Sequence, residues 1–269
     1  MQELRKITIA VVHTSIELGS RLKNIEKVRE SLNKIKDRDV EIVVIPAMVN
    51  GIPIFTSFAR TMKIRRTAEI IPGNTSQTLD KLSIEFNKKL VVGPILERRG
   101  SKVYISSFYI APHKGVTNII RHTAASGDFL RGTELPIIVD NDMRICIFYG
   151  RDIFLPEVSL SAYLLGIDIA IAYPDLDYDL HKQRIALITR ALELNSMVIS
   201  VGGTITRKGE PLIQLPTIII DEEGDIVNET SEEDKVILVD IELKSKKKYI
   251  DYGRKNLLKK LRKLIGFES

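Results

Sequence analysis

Two apolar, β-branched runs, residues 7–13 (ITIAVVH) and 41–48 (EIVVIPAM), flank a segment, 18–36, whose apolar residues recur at Leu22, Ile25, Val28, Leu32 and Ile35. A helical repeat between two runs that are apolar on both faces predicts strand, helix, strand. Strands of that kind are stable only when layers cover both sides of their sheet. Pro46 closes the second run, where its missing N–H suits a strand end.

The rest of the chain continues the alternation. Residues 76–86 and 178–195 carry helical spacing, the latter through Ile185, Ile188, Ala191 and Leu192, and helix is also expected after Pro156. Residues 90–96, 103–111, 135–139, 144–149, 167–173, 198–204, 217–221 and 236–241 read as strands, with Glu222, Glu223, Gly224 and Asp225 supplying a turn. No Gly/Ser/Pro-rich linker and no fixed-period repeat interrupts the series, so one layered α/β domain is expected over residues 1–243.

Composition excludes several classes. With 44% hydrophobic and 28% charged residues, disorder is not the default. The longest apolar stretch, 167–173, is broken by Asp168 and falls far short of the roughly 20 residues of a membrane span. Residues 7–12 are too short for a secretory core, so a cytoplasmic address is expected. The lone Cys146 and four scattered histidines suggest neither a disulfide nor a metal site, and no cofactor is expected. Few Gln, one Cys and abundant Lys, Arg, Glu and Ile suit a thermophile. The last 26 residues carry ten Lys or Arg against Asp251 and Glu268, a surplus of +8, which leaves about −3 of the total +5 for residues 1–243. The basicity belongs to the tail.

Several strings, in order, carry a resemblance: Ala10-Val11-Val12-His13 as an A-x-x-Q-like strand, Asn24, Pro46, VVGPILER with its partner strand from Val103, the turn from Pro112 to Gly115, and Gly132 before Thr133 and Glu134. Arg151-Asp152-x-x-x-Pro156-Glu157, the helix from Arg190 to Asn195 and the strand from Thr217 to Gly224 complete it. Together they resemble the carbon–nitrogen hydrolase family, also called the nitrilase superfamily. The resemblance implies a four-layer α-β-β-α sandwich that pairs with a second copy through its helices. It also implies a Cys nucleophile, a Glu base and a Lys that stabilises the oxyanion.

All three positions are occupied by other residues. Ala47 follows Pro46 where the Glu belongs, His122 takes the Lys place in Ile120-Arg121-His122-Thr123-Ala124-Ala125, and counting back six residues from Pro156 reaches Gly150 instead of Cys. The expectation is therefore a pseudoenzyme, a homodimer or larger homo-oligomer, that binds or assembles. Arg121, His122, Arg151 and Asp152 are candidates to line a vestigial pocket holding a small ligand, with structural ion pairs as the plainer role for Arg151 and Asp152. The alternative is a divergent hydrolase of amide, nitrile or carbamoyl substrates using Cys146, or a water activated by His122.

Residues 244–269 form a second element. Leu257, Leu258, Leu261, Leu264 and Ile265 keep helical spacing while Lys255, Lys259, Lys260, Arg262 and Lys263 fill the intervening positions, a basic amphipathic helix. Its apolar side is expected to pack on its own domain or a dimer mate, and its basic side suits an anionic or protein partner. Deleting residues 244–269 should alter oligomeric state or partner binding more than the fold of residues 1–243. Size-exclusion chromatography with pull-down and circular dichroism checks this; an unchanged oligomer with unchanged binding removes the tail from the functional account.

Overall fold

The computed structural model describes residues 5–55, 64–123, 129–141, 143–243, 256, 259 and 260. The first half runs β1 (Lys6–His13), β2 (Ser15–Glu17), α1 (Arg21–Lys34), β3 (Ile42–Ile45), α2 (Ile64–Thr67), α3 (Asn74–Phe86), β4 (Lys89–Arg99), β5 (Lys102–Ala111) and β6 (Gly115–Arg121). The second half runs β7 (Ile137–Asp140), β8 (Met143–Tyr149), a 3-10 turn (Gly150–Phe154), α4 (Pro156–Leu165), β9 (Ile169–Tyr173) and α5 (Leu180–Leu194). It ends with β10 (Met197–Ser200), β11 (Gly203–Arg207), β12 (Glu210–Leu215), β13 (Thr217–Ile220), β14 (Ile226–Thr230) and β15 (Lys235–Glu242).

These strands make two six-stranded sheets, ordered β15-β1-β3-β4-β5-β6 and β14-β13-β10-β9-β8-β7, and a small sheet β12-β11-β2. Because successive strand residues point to opposite faces, each apolar run feeds two layers. Ile9, Val11, Val44, Val91, Tyr109, Ile147, Ile171 and Ile199 meet between the sheets. Ala10, Val12, Val43 and Phe108 face outward onto Val28, Leu32, Leu79 and Leu82 of α1 and α3. Cys146, Phe148, Ala170 and Val198 face outward onto Ala162, Leu187 and Ala191 of α4 and α5. This is the expected four-layer α-β-β-α sandwich, and each fully buried Leu, Ile or Phe contributes about 1.5–3 kcal/mol. Among the described residues no helix is long and apolar enough to cross a membrane.

Several local readings shift. The first helix starts at Arg21, after Gly19 at φ +83°, and Leu22 is 73% exposed. Its buried stripe is Asn24, Ile25, Val28, Ser31 and Leu32, with Asn24 exchanging hydrogen bonds of 2.8 and 3.0 Å with the Glu17 backbone. In α5 the buried face is Gln183, Ala186, Leu187, Ala191 and Leu194, while Ile185 and Leu192 are exposed. Residues 198–204 are two strands in different sheets, β10 and β11, because Gly202 and Gly203 let the chain leave one sheet and approach Thr14; a Cβ on Gly203 would lie 2.5 Å from the Thr14 carbonyl oxygen. In the tail, Asn256, Lys259 and Lys260 are helical and both lysines are exposed, while Lys255, Arg262 and Lys263 lie outside the described residues.

Polar stitches join the two large sheets. Lys89 Nζ bonds Glu41 and Asp140, the Tyr109 hydroxyl donates to Asp140 at 2.9 Å, and the Tyr173 hydroxyl donates to the Ile45 carbonyl at 3.0 Å. His13 Nδ1 lies 2.9 Å from Thr217 Oγ1. Burial lowers the His13 pKa below its ordinary 6.5, against the opposing pull of Glu233 and Asp234. The folded state therefore resists a proton that the unfolded chain accepts, so the contribution is present above about pH 6.5 and is lost as pH falls through the folded value. His13→Gln, which keeps a partner for Thr217 and removes the titration, should flatten the fall in Tm between pH 7 and 5. Parallel Tm curves for the two proteins would refute this.

Candidate functional site

Ala47 sits just past β3, at the end of the sandwich where that strand runs out of the sheet. It lines a cavity of about 30 Å³ with Pro46, Phe55, Tyr149, Leu176 and Thr204, most of whose lining is apolar. That volume admits on the order of one or two water molecules. The wall behind is close-packed: a Cβ on Gly93 would lie 2.6 Å from both the Ala47 nitrogen and the Tyr173 ring. Thr204 Oγ1 is buried with no partner among the described residues, which suits a bound water.

His122 follows β6 and is fully buried, as are Ser107 and Asp152. Its Nδ1 lies 2.8 Å from Asp152 Oδ2 and its Nε2 lies 2.8 Å from Ser107 Oγ, while the Tyr149 backbone N–H donates to the same Asp152 oxygen at 3.2 Å. In the tautomer with the proton on Nδ1, the ring donates to Asp152 and accepts the Ser107 hydroxyl at Nε2. The donor order is that of a serine-hydrolase relay. Ser107, however, has no exposed surface and does not line the Ala47 cavity, so the chain works as a stitch from β5 and the end of β6 to the segment after β8. The Tyr149 ring, 5.5 Å from the His122 ring, separates this stitch from the cavity.

Gly150 begins the 3-10 turn at φ +49°, in the left-handed region. A Cβ there would lie 2.3 Å from Asp175 Cβ. Asp175 is held firmly: its N–H donates to Gln183 Oε1 at 2.9 Å, its carbonyl accepts from Gln183 Nε2 at 2.8 Å, and its carboxylate accepts from the Asp177 N–H at 2.9 Å. Burial raises the Asp175 pKa, Asp177 adds to that, and the Asp177 N–H and Arg151 oppose it.

The other candidates are arranged differently from a shared pocket. Arg121 and His122 are adjacent and point to opposite faces. Arg121 donates to the buried Glu97 and lies over the Tyr104 ring at 5.4 Å. Arg151 reaches outward, 44% exposed, 4.0 Å from Asp175 and 5.0 Å over the Tyr178 ring. None of Arg121, His122, Arg151 and Asp152 lines the Ala47 cavity. Cys146 faces the helices, in the opposite layer from Tyr149, and burial with the nearby Asp152 pushes its thiol pKa far up. A protonated, enclosed thiol is a poor nucleophile. Among the described residues no three His, Cys, Asp or Glu side chains converge as metal ligands.

Sequence reasoning missed Ser107, Asp175 and Thr204. Ser107 had a signal, a polar residue between Ile105 and Tyr109 on the inter-sheet side of a strand, whereas Asp175 and Thr204 gain their roles only from neighbours distant in sequence.

The profile of the carbon-nitrogen hydrolase family matches residues 8–251. Among solved structures, Nit3 of Saccharomyces cerevisiae, a member of branch 10 of the nitrilase superfamily, superposes with a TM-score of 0.75 at 19% identity, over 100% of this chain and 98% of its own. An amidase from Nesterenkonia sp. gives 0.75 at 14% identity over 95% of this chain and 96% of its own. XC1258 of Xanthomonas campestris, a CN-hydrolase superfamily protein, gives 0.73 at 13% over 99% and 98%. No curated protein sequence matches. These likenesses establish the fold, and the family match over most of the chain establishes membership: the protein belongs to the carbon-nitrogen hydrolase family.

Proposed function

We propose that this family member is a non-catalytic assembly protein of the cytoplasm. The observation that carries the reading is the close approach at Gly150: the position where the family's thiol would stand has no room for a Cβ against Asp175. Ala47 offers no carboxylate, and His122 has both ring nitrogens engaged, one by Asp152 and one by Ser107. Loss of a nucleophile alone lowers kcat by roughly 10⁶-fold in a hydrolase whose parts act as a unit.

The partner proposed first is a second copy. The outward faces of α4 and α5 expose the large apolar side chains Leu160, Ile185 and Leu192 at 43%, 52% and 54%, which a second copy would cover. A second reading, hydrolysis of non-peptide carbon–nitrogen bonds, is favoured by the family match and by the amidase among the structural neighbours.

Two measurements decide. On a panel of amides, nitriles and carbamoyl compounds the purified protein should show no turnover; turnover lost in a Cys146→Ala or His122→Gln variant that stays folded by circular dichroism establishes the second reading. Reintroducing the thiol through Gly150→Cys should yield no activity and lower stability by about 1–3 kcal/mol, the usual penalty of overpacking. For assembly, light scattering should find a dimer in the wild type and a folded monomer in Ile185→Lys/Leu192→Lys. A monomeric wild type, or a double variant that still dimerises, rejects this interface.

A further inference from the structure

We propose that the end of the sandwich around the β4–β5 turn binds the phosphate backbone of a nucleic acid. Five cationic residues lie on segments that the backbone brings together there: Arg66 of α2, Arg98 and Arg99 at the end of β4, Lys102 at the start of β5, and Arg131. All five are exposed, and none makes an ion pair among the described residues.

The backbone fixes their proximity. Arg99 is the cross-strand partner of Lys102, and Arg98 is the partner of Val103. The Arg98 N–H donates to the Glu69 carbonyl at 2.7 Å, which brings the stretch after α2 alongside β4. The Leu130 N–H donates to the Val103 carbonyl at 2.8 Å, which brings Arg131 beside β5. Two nearby carboxylates are already engaged: Glu97 is buried against Arg121 and Ser106, and Glu69 accepts from the Thr75 hydroxyl at 2.7 Å. Glu134, exposed three residues after Arg131, is the remaining acid of this loop among the described residues.

Charge makes the cluster informative. Residues 1–243 sum to about −3, so a group of exposed cations at one end sets up a local positive field on an otherwise acidic body. Four of the five are arginines, whose planar fork matches phosphate oxygens two at a time. Duplex nucleic acid carries about one negative charge per 1.7 Å of axis, so several of these side chains find phosphates at once and counterions are released. A lipid surface is less suited, because such binding also needs an apolar face to insert, and the large apolar side chains exposed on the flanking segments are Ile70 and Leu130.

The test is fluorescence anisotropy of a 20-base-pair DNA duplex with the full chain, from 50 to 200 mM salt. Arg98→Gln/Arg99→Gln/Lys102→Gln, with the tail intact, should weaken binding at least tenfold at the low-salt end. It should also make the slope of log K against log salt shallower by about 2.7, or about 0.9 for each phosphate that is no longer neutralised. Should that variant fail to fold by circular dichroism, Arg66→Gln/Arg131→Gln, on other elements, should reduce the slope by about 1.8. Unchanged affinity and slope in the folded variant assign any binding to the tail and overturn the proposal. Binding to phosphatidylserine vesicles without binding to the duplex overturns it in favour of lipid. Neither result depends on whether the protein hydrolyses anything.

Discussion

Everything in this molecule is referred to the layer of side chains between its two large sheets. Ile9, Val11, Val44, Val91, Ile147, Ile171 and Ile199 fill that layer at close-packed density, which leaves no slack for the segments that emerge at its ends. The turn after β8 is set by this packing. Tyr149 is drawn into the inter-sheet layer, Gly150 must then reverse the chain in a left-handed conformation, and Asp175 after β9 closes on it from the neighbouring strand. A side chain at Gly150 would meet Asp175, whose Cβ lies 2.3 Å from where a Cβ would stand.

The same inference applies to His122. A lysine there would have to hold an ammonium in the interior, whereas the imidazole spans Asp152 and Ser107 with one hydrogen bond on each ring nitrogen. A buried carboxylate left unpaired is strongly unfavourable, and His122 together with the Tyr149 N–H supplies donors to Asp152. His122 thus makes a polar connection between the two sheets. Ala47, packed near Gly93 and Tyr173, places a methyl group beside a small, mostly apolar cavity.

Much of the architecture was legible. The runs at 7–13 and 41–48 and the helical stripe of Ile25, Val28 and Leu32 gave the order of layers, because alternation and helical repeat are local properties. Errors came where a local pattern had two solutions. Leu22, Ile185 and Leu192 fit a helical repeat but lie on exposed faces, since a short window does not say which of two overlapping stripes the sheet will cover. Residues 198–204 looked like one strand because nothing in their hydropathy reports that the chain changes sheets at Gly202 and Gly203.

By itself, the amino-acid order determined the layered α/β class, the acidic body with a basic tail, and the family resemblance that directs attention to Ala47, His122 and Gly150. Only the tertiary structure decided that Ser107 and Asp152 take both nitrogens of His122, that Asp175 closes on Gly150, that Cys146 faces the helices, and that the segments carrying Arg66 and Arg131 run beside the β4–β5 hairpin. The division has a physical cause. Periodicity acts over a few residues and sets which face a side chain takes, while contacts between side chains tens of residues apart depend on strand register and sheet stacking, which are fixed only when the layers pack.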